Sequence, residues 1–295
     1  MKGTPSQKVI VTGSTGLLGR SLVKVLKDRH DVVRMSRQAA GGHNEIAVDI
    51  VQEHETVESI VKVGPHVVVH AAAQTNVDQC ETERALARRI NVEGTANVAE
   101  GCERARAKLI FISTDYVFDG TRGNYGEDDQ PNPINFYGLT KLEAERIVAT
   151  ASSSFLIVRT GVLYGWHPSR LNFATWTLNG LREHRQLRVA NDHIGSPTFA
   201  GNLAEAIRIA IERKSVGLLH VAGSQRISRF DFALRIAKRF DLDEGLLVPV
   251  EMQDLKWIAR RPRDSSLRVG KAEKELGIAL FGVDRGLEEM VKSRQ

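Results

Sequence analysis

Two cysteines in 295 residues, Cys80 and Cys102, leave no material for a disulfide framework, and without CxxC spacing they offer no zinc site. They read as reduced, buried thiols of a cytoplasmic protein. No apolar run is long enough to span a bilayer, and the opening MKGTPSQK passes straight into a strand and a glycine turn without an apolar leader core. Export and membrane insertion are not expected. Charge is also unconcentrated: 41 Lys and Arg against 36 Asp and Glu give +5. With a pI near 9.3 but no basic block and no aromatic-rich basic stripe, the chain does not suggest nucleic acid as a partner. A diffuse positive balance suits small anionic ligands. The histidines form no ligand cluster. His66 and His70 flank one apolar strand, where packing is the simpler role, and no metal is expected.

What the chain does have is a β–α alternation through its first half. Lys8 to Val11 is a short apolar run ending in Thr12-Gly13, and Leu17, Leu18, Leu22, Val25 and Leu26 then repeat at helical spacing. Asp31 to Met35 and Ile46 to Ile50 read as further strands. Val67, Val68 and Val69 lie in a strand, His66 to His70, too apolar to face water on either side. Glu81 to Glu103 reads as one long helical region, Leu109 to Ile112 as a strand, Asp119 to Pro133 as a loop, Asn135 to Ala149 as a helix and Phe155 to Arg159 as a strand. This order predicts an α/β fold with a doubly wound parallel sheet. Beyond Gly165 the rhythm loosens, with helices at Leu203 to Ile211 and Phe230 to Phe240 and a strand at Leu218 to Val221. A sheet domain over 1–165 and a smaller C-terminal substrate lobe over 166–295, with interleaved segments, is the expected organisation.

Three motifs carry chemistry. Thr12-Gly13-Ser14-Thr15-Gly16-Leu17-Leu18-Gly19 sits between a strand and a helix. Gly13 permits the turn, Gly16 lets backbone approach a pyrophosphate, and Gly19 lets helix and strand pack closely, while the helix N-terminus offers N–H groups to phosphate. A glycine turn alone can be merely structural; this one stands where a dinucleotide site requires it. At the end of the second strand, Val33-Arg34-Met35-Ser36-Arg37 lacks the acid that would hold a ribose 2′-OH. Ser36 and Arg37 suit a 2′-phosphate, so NADP(H) is favoured with NAD(H) possible, although Arg37 as a solvated surface residue reads equally simply. Asp49, with Ile50 beside it, either meets the adenine edge or caps the next helix.

Tyr137-Gly138-Leu139-Thr140-Lys141 places a phenol and an ammonium on one helical face. A neighbouring ammonium favours phenolate and would bring the phenol toward a useful pKa. Ala71, Ala72 and Ala73 after the fourth strand leave room for a cofactor. Ser113 and Thr114 put hydroxyls at the carboxyl edge of the sheet, where ligands collect; they equally can satisfy their own backbone. Thr114 beside Tyr137 would orient a carbonyl oxygen. Arg260, Arg261 and Arg263 read either as a clamp for a diphosphate or as a solvated basic turn.

TGSTGLLG, HAAAQTNVDQCE, STDYVFDG, YGLTK, RTGVLYG, GSPT and RRPRDSSL occur in order over nearly the whole chain. Together they resemble the extended short-chain dehydrogenase/reductase family, within it the dTDP-4-dehydrorhamnose reductases. The resemblance implies Thr114, Tyr137 and Lys141 as catalytic residues, and Asn91 as a support for the lysine through a structural water. It implies cofactor contacts from Gly13, Thr15, Gly16, Leu17, Leu18, Gly19, Ser36, Arg37, Asp49, Ile50, Ala71, Ala72, Ala73, Asn91, Tyr137 and Lys141. Thr75, Thr114, Asp115, Tyr116 and Arg263 would meet a nucleotide-sugar substrate whose 4-keto group is reduced. Related dehydratases carry an acid where Tyr116 stands, and its absence argues for simple reduction. Val162 replaces a tryptophan usual in these reductases, a loss for which Trp166 is a candidate substitute. Relatives that dimerise through magnesium use an acid in the glycine turn, where Leu17 and Leu18 offer none; a monomer or homodimer without metal is expected. The β subunit of methionine adenosyltransferase resembles the same reductases, so a cofactor-binding regulatory subunit is the alternative, and a cofactor-recycling epimerase or dehydratase a third.

Overall fold

A computed structural model describes residues 6–38, 42 and 44–293. The first half runs β1 (Lys8–Thr12), α1 (Leu17–Leu26), β2 (Asp31–Ser36), β3 (Glu45–Ala47), α2 (Glu53–Val63), β4 (Val67–His70), α3 (Val77–Thr82), α4 (Arg84–Arg88), α5 (Gly94–Ala105), β5 (Lys108–Thr114), α6 (Phe136–Ala151) and β6 (Phe155–Thr160). The second half adds β7 (Leu163–Tyr164), α7 (Phe173–Arg182), β8 (Leu187–Ala190), β9 (Ile194–Gly195), β10 (Thr198–Phe199) and α8 (Ala200–Glu212). It ends with β11 (Gly217–His220), β12 (Ile227–Ser228), α9 (Arg229–Arg239), β13 (Leu247–Val250), α10 (Gly270–Leu276) and α11 (Val283–Lys292).

Seven strands make one sheet in the order β11-β6-β5-β4-β1-β2-β3, every neighbouring pair parallel. This is the doubly wound α/β architecture. The apolar run of β4 is buried throughout, as a strand covered on both faces must be. On one face Leu18, Leu22 and Leu26 of α1 pack with Leu203, Ile207 and Ile211 of α8. On the other, Ile60 of α2, Val98 of α5 and Val148 of α6 close over Ile10, Val68 and Leu109. Both cysteines are buried and unpaired, Cys80 donating weakly to the Gln74 carbonyl at 3.5 Å.

The chain beyond residue 165 serves two structures. Helix α8 and edge strand β11 complete the sheet layer. Helices α7, α9 and α11 build a separate core around Phe232, Leu178 and Met290, beside the parallel pair β8–β13. The 260–268 segment returns to the sheet's carboxyl edge, where Asp264 N donates to Gly120 O at 3.0 Å and Tyr125 N to Ser266 O at 2.8 Å.

One expectation fails. The region from Glu81 to Glu103 is not one helix. Backbone at Glu83 leaves helical geometry (φ −117°, ψ 54°), and Arg89–Glu93 widens into a π turn before α5. The widened turn carries Asn91, whose side chain binds the Gln74 backbone in both directions, N–H to Oδ1 at 2.8 Å and Nδ2 to O at 3.1 Å. Such turns recur where a helix must present a polar side chain inward.

Burial also fixes the pH response. His70 is 1% and His220 0% exposed, and burial first, then Lys141 for His70 and Arg159 for His220, pushes each imidazole down to about 3. The unfolded chain therefore binds more protons between about pH 3 and 6.5, so stability is complete above that window and falls as pH drops through it. Asp115, raised by burial to about 6, acts in the opposite sense at the lower end. Denaturant titrations at pH 7 and 5 should show His220→Phe losing roughly 2 kcal/mol less stability between them than the parent does. Equal losses would mean His220 is not held neutral.

Candidate active site

The turn after β1 is built for close backbone approach. Gly13 has φ +63°, and a Cβ there would meet the Ala72 backbone at 2.8 Å. A Cβ on Gly19 would fall 2.2 Å from the Gly13 carbonyl, so α1 is pressed onto the turn. Gly16 is the α1 N-cap, with no side-chain cap and no acid in the first turn. The positive helix end beside Leu17 and Leu18 therefore suits an anion. A cleft of about 1370 Å³ reaches Ser14, Thr15, Leu17 and Ser36 and continues over the outer face of α1. At its β2 edge Ser36 Oγ donates to Gln38 O at 2.8 Å, Arg37 is exposed, and Arg34 pairs with Glu45. Asp49 does not cap α2. Its Oδ1 accepts from Val51 N at 3.3 Å while Gln52 takes the cap position, and Ile50 is buried.

The reactive residues meet elsewhere, at the carboxyl ends of β4 and β5. Asn135 caps α6, its Oδ1 accepting from Gly138 N at 2.8 Å, which places Tyr137 in the first turn. A Cβ on Gly138 would stand 2.1 Å from the Tyr116 carbonyl, so the helix start lies directly on the 3₁₀ turn Asp115–Val117 that ends β5. Thr114 lies beside Tyr137 there, close enough to lower its pKa. Thr114 Oγ1 also accepts from Tyr116 N and donates to Asp115 Oδ1, each at 3.1 Å. Asp115 Oδ2 accepts from Ser265 Oγ at 2.5 Å. Asp115 thus supports Thr114 from below. Helix α6 is locked further along by a buried pair: Glu145 accepts from Arg159 Nε and Nη2 at 2.9 and 2.7 Å and from Ser113 Oγ at 2.5 Å.

The electrostatics differ from the expected lysine-tuned phenol. Burial drives Tyr137 above its ordinary value, with Thr114 offsetting part of the effect. Lys141, 2% exposed, is itself pushed down to about 7 by burial, against the pull of Glu145. Its Nζ lies 4.0 Å from the Phe111 ring centroid. Desolvation outweighs the ammonium, and Tyr137 holds its proton at neutral pH.

A proton-ordered chain braces this site against the glycine turn. Thr12 Oγ1 accepts from Ala71 N and Ala72 N, both at 3.2 Å, so its own proton goes to His70 Nδ1 at 2.7 Å. His70 Nε2–H then donates to Thr95 Oγ1 at 3.1 Å, and Thr95 to Asn91 O at 2.6 Å. The Asn91 amide continues to Thr140 Oγ1 at 3.1 Å, and Thr140 to Tyr137 O at 2.8 Å. Asn91 acts through these bonds on the first turn of α6.

Beyond Tyr116 opens a cavity of about 510 Å³. Trp176, Trp257 and Phe173 supply aromatic walls, and Arg188, Arg229 and Arg261 supply charge. Asp78 pins the last wall by accepting from Ile258 N, Ala259 N and Arg261 Nη2 at 3.1, 2.9 and 3.0 Å. The Tyr116 ring stands edge-on to Tyr137, centroids 6.2 Å apart, and its hydroxyl bonds His193 Nε2 at 3.2 Å, with Arg229 in the same wall.

Against expectation, several residues lie apart from this cavity. Val162 lines it, but Trp166 does not: Trp166 Nε1 donates to Met290 O at 2.7 Å within the helical lobe. The aromatic surface comes from Trp176 and Trp257 instead. Arg263 is exposed, its Nε 4.0 Å from Asp192, and Thr75 is exposed as well; of the three C-terminal arginines, Arg261 is the one in the wall. Sequence reasoning missed Arg229, His193, Trp176 and Trp257. His193 sits just before the GSPT motif, which was the available signal.

Comparison with known proteins agrees with this geometry. The family model described as RmlD substrate binding domain matches residues 7–295. A dTDP-4-dehydrorhamnose reductase of Aggregatibacter actinomycetemcomitans is 32% identical, covering 96% of this chain and 98% of its own length. Methionine adenosyltransferase 2 subunit beta of Bos taurus is 33% identical, over 93% of this chain and 84% of that protein. The crystal structure of dTDP-4-dehydrorhamnose reductase from Bacillus anthracis in complex with NADP superposes with a TM-score of 0.90 at 32% identity, covering 97% and 99% of the two chains.

The contact at Gly138 is directly testable. Gly138→Ala must push α6 off the Tyr116 carbonyl, and overpacking of this kind costs about 1–3 kcal/mol. Denaturant unfolding should register that loss. An unchanged midpoint would show that the helix start is free to move.

Proposed function

The chain belongs to the RmlD substrate binding domain family, and we propose that it is an NADPH-dependent reductase of a nucleotide-activated 4-keto-6-deoxy sugar, converting dTDP-4-dehydrorhamnose to dTDP-rhamnose. The observation that carries this reading is the meeting of Thr114 and Tyr137 at the carboxyl edge of β5, beside Tyr116, which lines a cavity together with arginine and tryptophan. The residues present fit the cofactor. The Gly13–Gly19 turn is open to a pyrophosphate, no carboxylate occupies 33–38, and Arg37 is exposed for a 2′-phosphate. Thr15, Leu17, Leu18, Ser36, Asp49, Ile50 and Ala71–Ala73 would complete its walls, with Asn91 bracing them; NAD(H) is compatible with the same walls.

When bound, the nicotinamide supplies hydride to the sugar carbonyl. Thr114 orients the carbonyl oxygen by turning its O–H from Asp115 toward it, and Tyr137, kept protonated by burial, gives it the phenolic proton. Lys141, as ammonium, holds the ribose and restores the Tyr137 proton. Tyr116 stands where elimination of water would need an acid, and its hydroxyl is committed to His193. That commitment supports reduction over dehydration. Similarity to the bovine β subunit favours a second reading, a cofactor-binding regulatory partner with the same site.

NADPH oxidation with dTDP-4-dehydrorhamnose, compared with GDP- and UDP-linked 4-keto sugars, separates the readings. Turnover of the first supports the proposal; silence on all, with copurification of a synthetase, supports the second. Tyr137→Phe should lower kcat by about 10²–10⁴-fold while NADPH affinity stays. Wild-type turnover in that variant would sink the mechanism. Lys141 sits at about 7, so its charged form prevails below that pH. The rate should fall as pH rises through about 7, and Lys141→Met should abolish that limb along with most activity.

A further inference from the structure

The cavity beyond Tyr116 contains a buried nitrogen that no protein group satisfies. His193 is 4% exposed, lines the cavity, and its Nδ1 has no hydrogen-bond partner among the described residues. Its Nε2 lies 3.2 Å from the Tyr116 hydroxyl. Arg229 stands in the same cavity wall as Tyr116, and a guanidinium only donates. Beside that donor the phenol is oriented to pass its own proton to His193 Nε2. That leaves the hydrogen of the neutral imidazole on Nδ1. Burial, with Arg229 and Arg261 nearby, holds the ring well below its ordinary pKa, so it is neutral at working pH.

Buried donors without acceptors are rare in folded proteins and call for an explanation. The surroundings indicate the acceptor. Three guanidinium groups, Arg188, Arg229 and Arg261, and no carboxylate line the cavity, so an anionic oxygen is favoured. The imidazole lies 6.4 Å from the Tyr116 ring, itself 6.2 Å from Tyr137. One aromatic ring thus separates His193 from the proposed proton donor, on the side of the arginine-lined cavity where the phosphates of an activated sugar would lie. Trp257, edge-on to His193 at 5.4 Å, and Trp176 leave aromatic surface further out.

We propose that His193 donates its Nδ1–H to a phosphoryl oxygen of a nucleoside diphosphate, and so makes the pocket prefer a diphosphate over a monophosphate. The proposal rests on the nucleotide-sugar reading above. Two variants separate the ring nitrogens, because an asparagine amide nitrogen falls where Nδ1 is and a glutamine amide reaches where Nε2 is. Calorimetric titration of the NADPH-saturated protein with dTDP and dTMP gives the preference for the diphosphate. His193→Gln should shrink that preference about tenfold or more, while His193→Asn keeps most of it; NADPH affinity and melting temperature report the fold. Equal weakening of both ligands by His193→Gln would overturn the assignment and leave the nucleotide-sugar reading standing. A parent protein that binds neither nucleotide would overturn both. Should either variant fail to fold, imidazole ¹⁵N spectra of the parent decide: dTDP should shift the Nδ1–H resonance more than dTMP, and an Nε2–H tautomer would refute the proposal.

Discussion

The site depends on one contact, that of Gly138 with the carbonyl of Tyr116. Thr114 ends a strand and Tyr137 begins a helix 23 positions later, with a polar loop between them. They meet because nothing stands between the helix start and the 3₁₀ turn after β5; a methyl group would not fit. Asn135 fixes where α6 begins, and the buried Glu145–Arg159–Ser113 group fixes its rotation one turn beyond Lys141. Loss of either anchor would leave the helix but not the approach. Precision at the phenol is thus a property of backbone packing, with the nearness of Thr114 as its consequence.

A second constraint follows from dryness. Most polar groups at this edge are buried, and directional bonds leave several of them little choice of protonation. Thr12 must donate to His70 because it already accepts two N–H groups, and His70 must then donate to Thr95. Burial moves the phenol of Tyr137 up and the ammonium of Lys141 down, the reverse of what an isolated Tyr–Lys pair on a solvated helix would do. For the proposed direction of reaction that is useful. A reductase needs a phenol that arrives protonated, and a lysine near neutrality can return the proton it loses.

Local patterns were legible in the sequence and long-range ones were not. The sheet, its parallel order and the glycine turn follow from apolar runs and punctuation within a few tens of residues. The YGLTK pair could be placed on one helical face from spacing alone. The π turn at Asn91 could not, because it answers to Gln74, across a loop. Trp166 looked like a substitute for the tryptophan missing at Val162, yet nearness along the chain misled: Trp176 and Trp257, separated by 81 positions, converge on the cavity because α7 and the Asp78-pinned segment face each other. Arg229 carried no motif at all. Its place comes from opening α9 opposite His193, whose carbonyl accepts its N–H at 2.9 Å.

The two halves of the chain interleave at this edge of the sheet. Ser265, late in the chain, donates to Asp115, which accepts from Thr114, which meets Tyr137. Asp264 next to it pairs with Arg226 and anchors the Gly120 loop. Arg261, four residues before Ser265, forms part of the wall of the proposed substrate cavity. A ligand pulling on that wall pulls on a segment whose next few residues support the orienting hydroxyl. Asp115, raised to about 6 by burial, is held down most by its hydrogen bond from Ser265. The wall of the outer cavity and the support of the orienting hydroxyl therefore lie on one five-residue stretch, 261–265, joined by covalent continuity with no moving domain required.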